Sequence, residues 1–324
     1  MRFTRALLLL AFAGCATDAA TGPAAPADPA AAQFVTSDLT NFWAAYDAGG
    51  RTGNASAFQQ LYLENASTGL NDFIARRTLT ASSIATMVTA YPRYFAAIRT
   101  RNLQLAANSV VIERAREGFR RIKALYPASV FPPVTLLIGR FSTGGTTSEN
   151  GMLIGTEFYS AGSDTPLDEL GVFQHDNVMA EDSLPIIIAH EHVHILQSRA
   201  RGVFAHGIKT LLDQALIEGS ADFVGSLASG GNINARLWAY ALPREGALWA
   251  EFSAQMHGTD VSRWLYNQLS TSTDRPGDLG YFIGYRIAES FYNRATDKTA
   301  ALRDIIEMAN SDEFLARSGY APSP

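Results

Sequence analysis

The sequence predicts an α+β fold, predominantly α-helical, with one small β-sheet. Three observations carry this. Apolar residues recur at helical spacing from Phe34 to about Tyr126, two short continuous apolar runs follow between Val134 and Tyr159, and helical patterning returns after Asp164 to the end. With 47% hydrophobic and 18% charged residues, the 324-residue chain has enough apolar material for a sizeable core, which excludes disorder throughout. A net charge of −5 without a long basic run excludes a nucleic-acid footprint, so no nucleic-acid partner is expected.

The N-terminus reads as a processing signal. Met1-Arg2-Phe3-Thr4-Arg5 is a basic segment, and residues 6–13 form an apolar run too short to span a bilayer as a mature helix. Phe12-Ala13-Gly14-Cys15 looks like a bacterial lipobox, with Phe12 where Leu is usual, so Cys15 is the expected lipidation site and residues 1–15 the lipoprotein signal peptide. Cys15 is the only cysteine, so no disulfide is available and stability must come from the core. Residues 16–33, rich in Ala and Pro, suit a flexible tether between lipid and folded domain. Ala16 follows Cys15 without an Asp that would mark inner-membrane retention, so the expected place is the bacterial cell envelope, as an outer-membrane lipoprotein facing periplasm or exterior.

Residues 34–324 are expected to form a single domain: a helical N-terminal part over 34–130, a core carrying the chemistry over 131–230 and a helical C-terminal part over 231–324. In the first part, Leu39, Phe42, Trp43 and Tyr46 fall on one helical face, and similar patterns recur over 58–63, 84–91 and 110–125, with ends marked by Gly49-Gly50, Gly69, Pro92 and Pro127. The run 134–139 after Pro132-Pro133 reads as a buried strand, and the run 152–159, beyond a Gly/Thr/Ser loop, as its partner. Asp182-Ser183 and Pro185 read as a helix start and Gly202 as its stop.

That helix carries His190-Glu191-His192-Val193-His194. At about 100° per residue, His190 and His194 lie about 40° apart and can share one Zn²⁺, with Glu191 beside them as general base. His192, about 200° from His190, is read as structural. Gln197 and Ala200 stand where a metzincin continuation would need Gly and His. A second apolar helix instead offers Glu218 as third ligand, the gluzincin arrangement, and Asp222, one turn on, as acceptor for a ligand imidazole. A buried carboxylate needs a metal or charged partner to offset its desolvation.

The motif pair His190-Glu191-His192-Val193-His194 and Ile217-Glu218-Gly219-Ser220-Ala221-Asp222, with the later Gly280-Tyr281-Phe282-Ile283-Gly284-Tyr285-Arg286, resembles bacterial predicted zinc-dependent protease lipoproteins related to gliding-motility lipoproteins. The likeness spans about 134–293. It implies a zincin-like fold, with the small sheet above the active-site helix, and hydrolysis of a polypeptide substrate. In such folds a peptide lies along an edge strand, for which residues 152–159 are the candidate, approached through Gly144-Gly145. An oxyanion donor is sought among Tyr281, Tyr285 and His257, with Tyr285 favoured. The alternative is a non-catalytic zincin-scaffold lipoprotein acting in envelope assembly or motility; hydrolysis of a non-peptide amide is a third reading.

Overall fold

The computed structural model describes residues 25–107, 110–202, 205, 207–268 and 275–323; Cys15 with its signal segment, and His206, lie outside these. The N-terminal part folds as six helices: α1 (Ser37–Asp47), α2 (Ala55–Phe58), α3 (Thr68–Arg77), α4 (Ala81–Ala90), α5 (Pro92–Ala107) and α6 (Val110–Leu125). Asn54, Ser67 and Thr80 accept backbone N–H groups at the starts of α2, α3 and α4, while Pro92 opens α5, where its missing N–H costs nothing. Helix α1 buries Leu39, Phe42, Trp43 and Tyr46, and the Phe42 ring centroid lies 5.0–6.2 Å from those of Trp43, Phe58, Tyr62 and Phe95.

Four strands form one mixed sheet: β1 (Phe34–Val35), β2 (Val134–Leu137), β3 (Gly145–Ser148) and β4 (Gly151–Gly155), in the order β1-β2-β4-β3. The two apolar runs pair in parallel, Val134 opposite Met152 and Leu137 opposite Gly155. The polar stretch Gly145-Thr146-Thr147-Ser148, expected as loop, turns back antiparallel on β4, with Gly145 opposite Ile154. This corrects the edge-strand assignment. β4 is an inner strand because β3 covers it, β3 is the edge, and Phe158 and Tyr159 lie beyond the strand, at the 3₁₀ turn Thr156–Phe158.

The remaining helices are α7 (Val172–Asn177), α8 (Leu184–Ala200), α9 (Leu211–Ser229), α10 (Trp238–Ala241), α11 (Glu245–Ser253), α12 (Leu279–Arg294), α13 (Lys298–Ile306) and α14 (Ser311–Ser318). The predominantly helical α+β class is thus the observed one. α8 has Pro185 in its first turn, but it ends at Ala200 through Arg201 in the left-handed region (φ 58°), before the expected stop. Gly202 serves a close approach instead: a Cβ there would lie 2.3 Å from the Met308 carbonyl oxygen. α9 starts on a Thr210–Asp213 capping box and ends at Gly230, φ 82°.

Two hydrophobic cores meet at α8. Ile187 and Ile188 belong to the core of the N-terminal helices and sheet, whereas Ala189, Val193 and Leu196 belong to the core of α9 and α12. The sheet, through β3 and β4, packs on one side of α8, and α9 packs on another. A helix enclosed in this way is buried around most of its circumference, so a polar group on it without a partner calls for an explanation.

Candidate metal centre

Helical periodicity places His190 and His194 one turn apart on α8, and close packing brings α9 underneath. Gly225 permits this: a Cβ there would lie 3.2 Å from the His190 backbone nitrogen. Glu218 and Asp222 therefore reach α8 from below, and all four side chains are buried. The His190 and His194 Nε2 atoms are 3.0 Å apart, with Glu218 Oε2 3.2 Å from His194 Nε2 and 3.6 Å from His190 Nε2.

The outer sides of the imidazoles decide where their protons sit. His190 Nδ1 donates to Asp222 Oδ1 (2.8 Å), and Asp222 Oδ2 accepts from Asn234 Nδ2 (2.9 Å). Gln197 Nε2 donates to the Ile217 carbonyl (3.0 Å), which turns Gln197 Oε1 toward His194 Nδ1 (2.9 Å). With a cation in place of any proton on Nε2, each ring keeps its proton on Nδ1 and turns an Nε2 lone pair, beside a carboxylate oxygen, to the centre of the cluster. Three converging groups of this kind can hold one cation. Tetrahedral zinc with bonds of about 2.0–2.1 Å needs ligand–ligand edges of about 3.3 Å, and the three observed edges bracket that value. Two imidazoles and a carboxylate are also zinc's usual donors, so the residues fit the ion; among the described residues no other such cluster occurs.

Electrostatics point the same way. Burial alone would raise the Glu218 carboxyl, but the two imidazoles outweigh it and hold it far below the usual range. Burial would lower His190, yet the Asp222 and Glu218 carboxylates lift it well above its ordinary value. The cluster therefore demands positive charge.

Glu191 lines the same cleft of about 220 Å³. Burial raises its carboxyl, partly offset by His190 and His194. Its Oε2 is buried without a hydrogen-bond partner among the described residues, while Oε1 faces Gly145 on β3, where a Cβ would lie only 2.4 Å away. His192 points elsewhere. It is wedged between Phe119 and Phe131, donates from Nε2 to the Val130 carbonyl (2.7 Å), and is pushed by burial to about 4.

The structure does not bring Tyr285 to this cleft. Its ring packs edge-on against Trp238 and Phe223, and its hydroxyl lies 3.2 Å from Ser226 Oγ, on the turn of α9 beyond Asp222. Tyr281, one turn earlier on α12, lines the cleft instead, stacked on His190 at 6.4 Å. His257 is exposed beside Asp312 and is not among the residues lining the cleft. Three site residues carry no motif: Gln197, Asn234 and Tyr266, whose hydroxyl donates to Glu218 Oε1 (2.7 Å). Gln197 was legible from its spacing, one turn after His194; Asn234 and Tyr266 come from loops.

Fold and cluster together define a predominantly helical α+β protein with a buried His-His-Glu site suited to a zinc-like cation. The family described as predicted Zn-dependent protease (DUF2268) matches residues 147–309, half of the chain, and the chain belongs to that family. The matched stretch includes β4, α8, α9 and α12. No curated protein and no solved structure matches the chain.

Proposed function

We propose that this chain is a gluzincin-type zinc metallopeptidase, with His190, His194 and Glu218 as the protein ligands and Glu191 as general base. The observation that carries the catalytic reading is that Glu191 lines the cleft beside the metal cluster while its buried Oε2 has no hydrogen-bond partner among the described residues. When bound, zinc supplies a Lewis acid that acidifies a coordinated water and polarises the scissile carbonyl.

Glu191 takes the proton of the attacking water on its free oxygen. As the C–N bond breaks, it hands that proton to the departing amine. Asp222 and Gln197 hold the imidazole protons at Nδ1, keeping both Nε2 atoms available as ligands. Tyr281, whose hydroxyl makes no hydrogen bond among the described residues, donates to the developing oxyanion; burial keeps it a protonated phenol well above its ordinary range. The free edge of β3 takes an extended peptide by strand addition.

The lipid anchor on Cys15, the tether over 16–33, the single domain over 34–324 and the outer-membrane location remain part of this proposal. The non-catalytic scaffold alternative gives Glu191 no task. Glu191→Gln tests the difference: with zinc content and folding unchanged, peptide hydrolysis is expected to fall about 10²–10⁴-fold. Equal rates for wild type and variant on a broad peptide library would remove Glu191 as the base, and no cleavage by either, with one zinc bound to each, would favour the scaffold.

A further inference from the structure

Glu157 is a buried carboxyl outside the metal cluster with no role in the chemistry above. It sits in the 3₁₀ turn after β4 and is fully buried. Its Oε1 accepts two backbone N–H groups, from Gly139 (2.9 Å) and Phe141 (2.8 Å), while its Oε2 has no partner among the described residues. Burying a carboxyl here costs free energy that an apolar side chain would avoid, so packing alone does not explain it.

What Glu157 holds is unusual. The two donors flank a turn in which Arg140 (φ 74°) and Phe141 (φ 56°) are consecutively left-handed, a conformation that non-glycine residues adopt at a cost. The N–H groups on either side of Arg140, those of Gly139 and Phe141, converge on the one carboxyl oxygen. The chain then runs directly to the general base. Ser142 Oγ donates to the Gly139 carbonyl (3.3 Å), the Gly155 N–H donates to the Gly144 carbonyl (3.0 Å), and Thr143 Oγ1 donates to the Gly145 carbonyl (2.5 Å). Gly145 is the residue seated against Glu191.

We infer that Glu157 is a positioning residue: it holds the 139–144 turn in its left-handed form, and the turn seats the edge strand β3 on the Glu191 carboxyl. The inference rests on the peptidase reading for its kinetic consequence but not for its structural one. Burial raises Glu157 to about 7, and Oε1 accepts the two N–H groups in either protonation state. Gln supplies the same acceptor, Leu does not, and Asp is one methylene short.

The test compares zinc-loaded full chains of wild type, Glu157→Gln and Glu157→Leu by peptide hydrolysis, zinc content and amide hydrogen exchange. Gln should keep kcat within about threefold. Leu should lower kcat about 10–100-fold with zinc content unchanged, since a misplacement of about 1 Å near the chemistry has effects of this size. It should also speed exchange at the Gly139, Phe141 and Gly155 amides. Arg140→Gly in the Leu background relieves the left-handed strain and should recover much of the loss, which a residue needed only for packing would not show. A folded Leu variant with wild-type kcat and wild-type exchange overturns the inference, as does a Gln variant as impaired as Leu. If Leu does not fold, Glu157→Asp carries the same predictions. The exchange readout needs no substrate, so a wild type that cleaves no peptide defeats the peptidase reading while the Glu157 assignment is still judged.

Discussion

At the scale of single residues, the outer atoms of the His-His-Glu cluster are held by further side chains. Tyr266 holds the second oxygen of Glu218, and Asn234 holds the second oxygen of Asp222. Tyr266→Phe is expected to weaken zinc binding about 10–100-fold, the usual effect of removing a partner of a ligand, and Glu218→Ala to weaken it further. Competition with a chelator followed by elemental analysis checks both; full zinc retention in Glu218→Ala would show that another group completes the site. Glu157 yields a stability prediction of its own. Its folded value of about 7 lies above the unfolded value near 4.5, so between these the folded state binds more protons and stability falls as pH rises. The difference amounts to about 3 kcal/mol across that window. Relative to wild type, Glu157→Gln should gain stability from pH 4.5 to 7 and hold the gain above it; denaturant titrations at pH 5 and pH 8 measure this.

At the scale of elements, the site depends on helices that approach backbone to backbone. A Cβ on Gly284 would lie 1.7 Å from the Ala215 carbonyl oxygen, and one on Gly219 would lie 2.2 Å from the Gly284 carbonyl carbon. This crossing sets α12 against α9, and so Tyr281 against Glu218. Gly284→Ala must push the helices apart and should cost about 1–3 kcal/mol, with zinc affinity falling in parallel because Glu218 moves. Unchanged denaturation midpoints would show that the crossing relaxes freely. The glycines of the 280–286 segment thus have a mechanical reason, whereas its more conspicuous Tyr285 packs away from the cleft. The same kind of contact explains β3: its Thr-rich sequence carries no apolar alternation, and it becomes a strand because β4 offers it a partner and Gly145 lets it close on Glu191.

At the scale of the whole molecule, α8 is the shared wall of two cores, and the cleft opens where they join. The cleft has an apolar lining of Phe158, Phe173, Met179, Ile187 and Ile233, all in or against the core of the N-terminal helices and sheet. Ile187 is one helical turn before His190 and Glu191, which places this wall next to the reacting atoms. Cleavage sites in a peptide library should therefore carry a bulky apolar residue beside the scissile bond, and Met179→Glu should shift that preference while leaving zinc content unchanged. Among the described residues no helix is long and apolar enough to cross a membrane, and the attachment proposed above is through Cys15. Mass spectrometry of the mature N-terminus tests this: a diacylated Cys15 is expected, and an unacylated terminus beginning elsewhere would remove the anchor.

The sequence by itself determined which candidate ligands share a face within each helix, because helical spacing is local. Backbone hydrogen bonds set the 3.6-residue period, so His190, Glu191 and His194 share a face wherever α8 lies, as do Glu218 and Asp222 on α9. The strand pair β2–β4 was legible for a similar reason, since continuous apolar runs between turn residues have few other places to go. Only the tertiary structure decided that β3 is the edge, that Tyr281 rather than Tyr285 faces the cleft, and that Asn234, Tyr266 and Glu157 serve the site. Those positions depend on where loops and helix crossings fall. Each is the sum of many weak contacts between segments distant in sequence, and no period along the chain encodes such a sum.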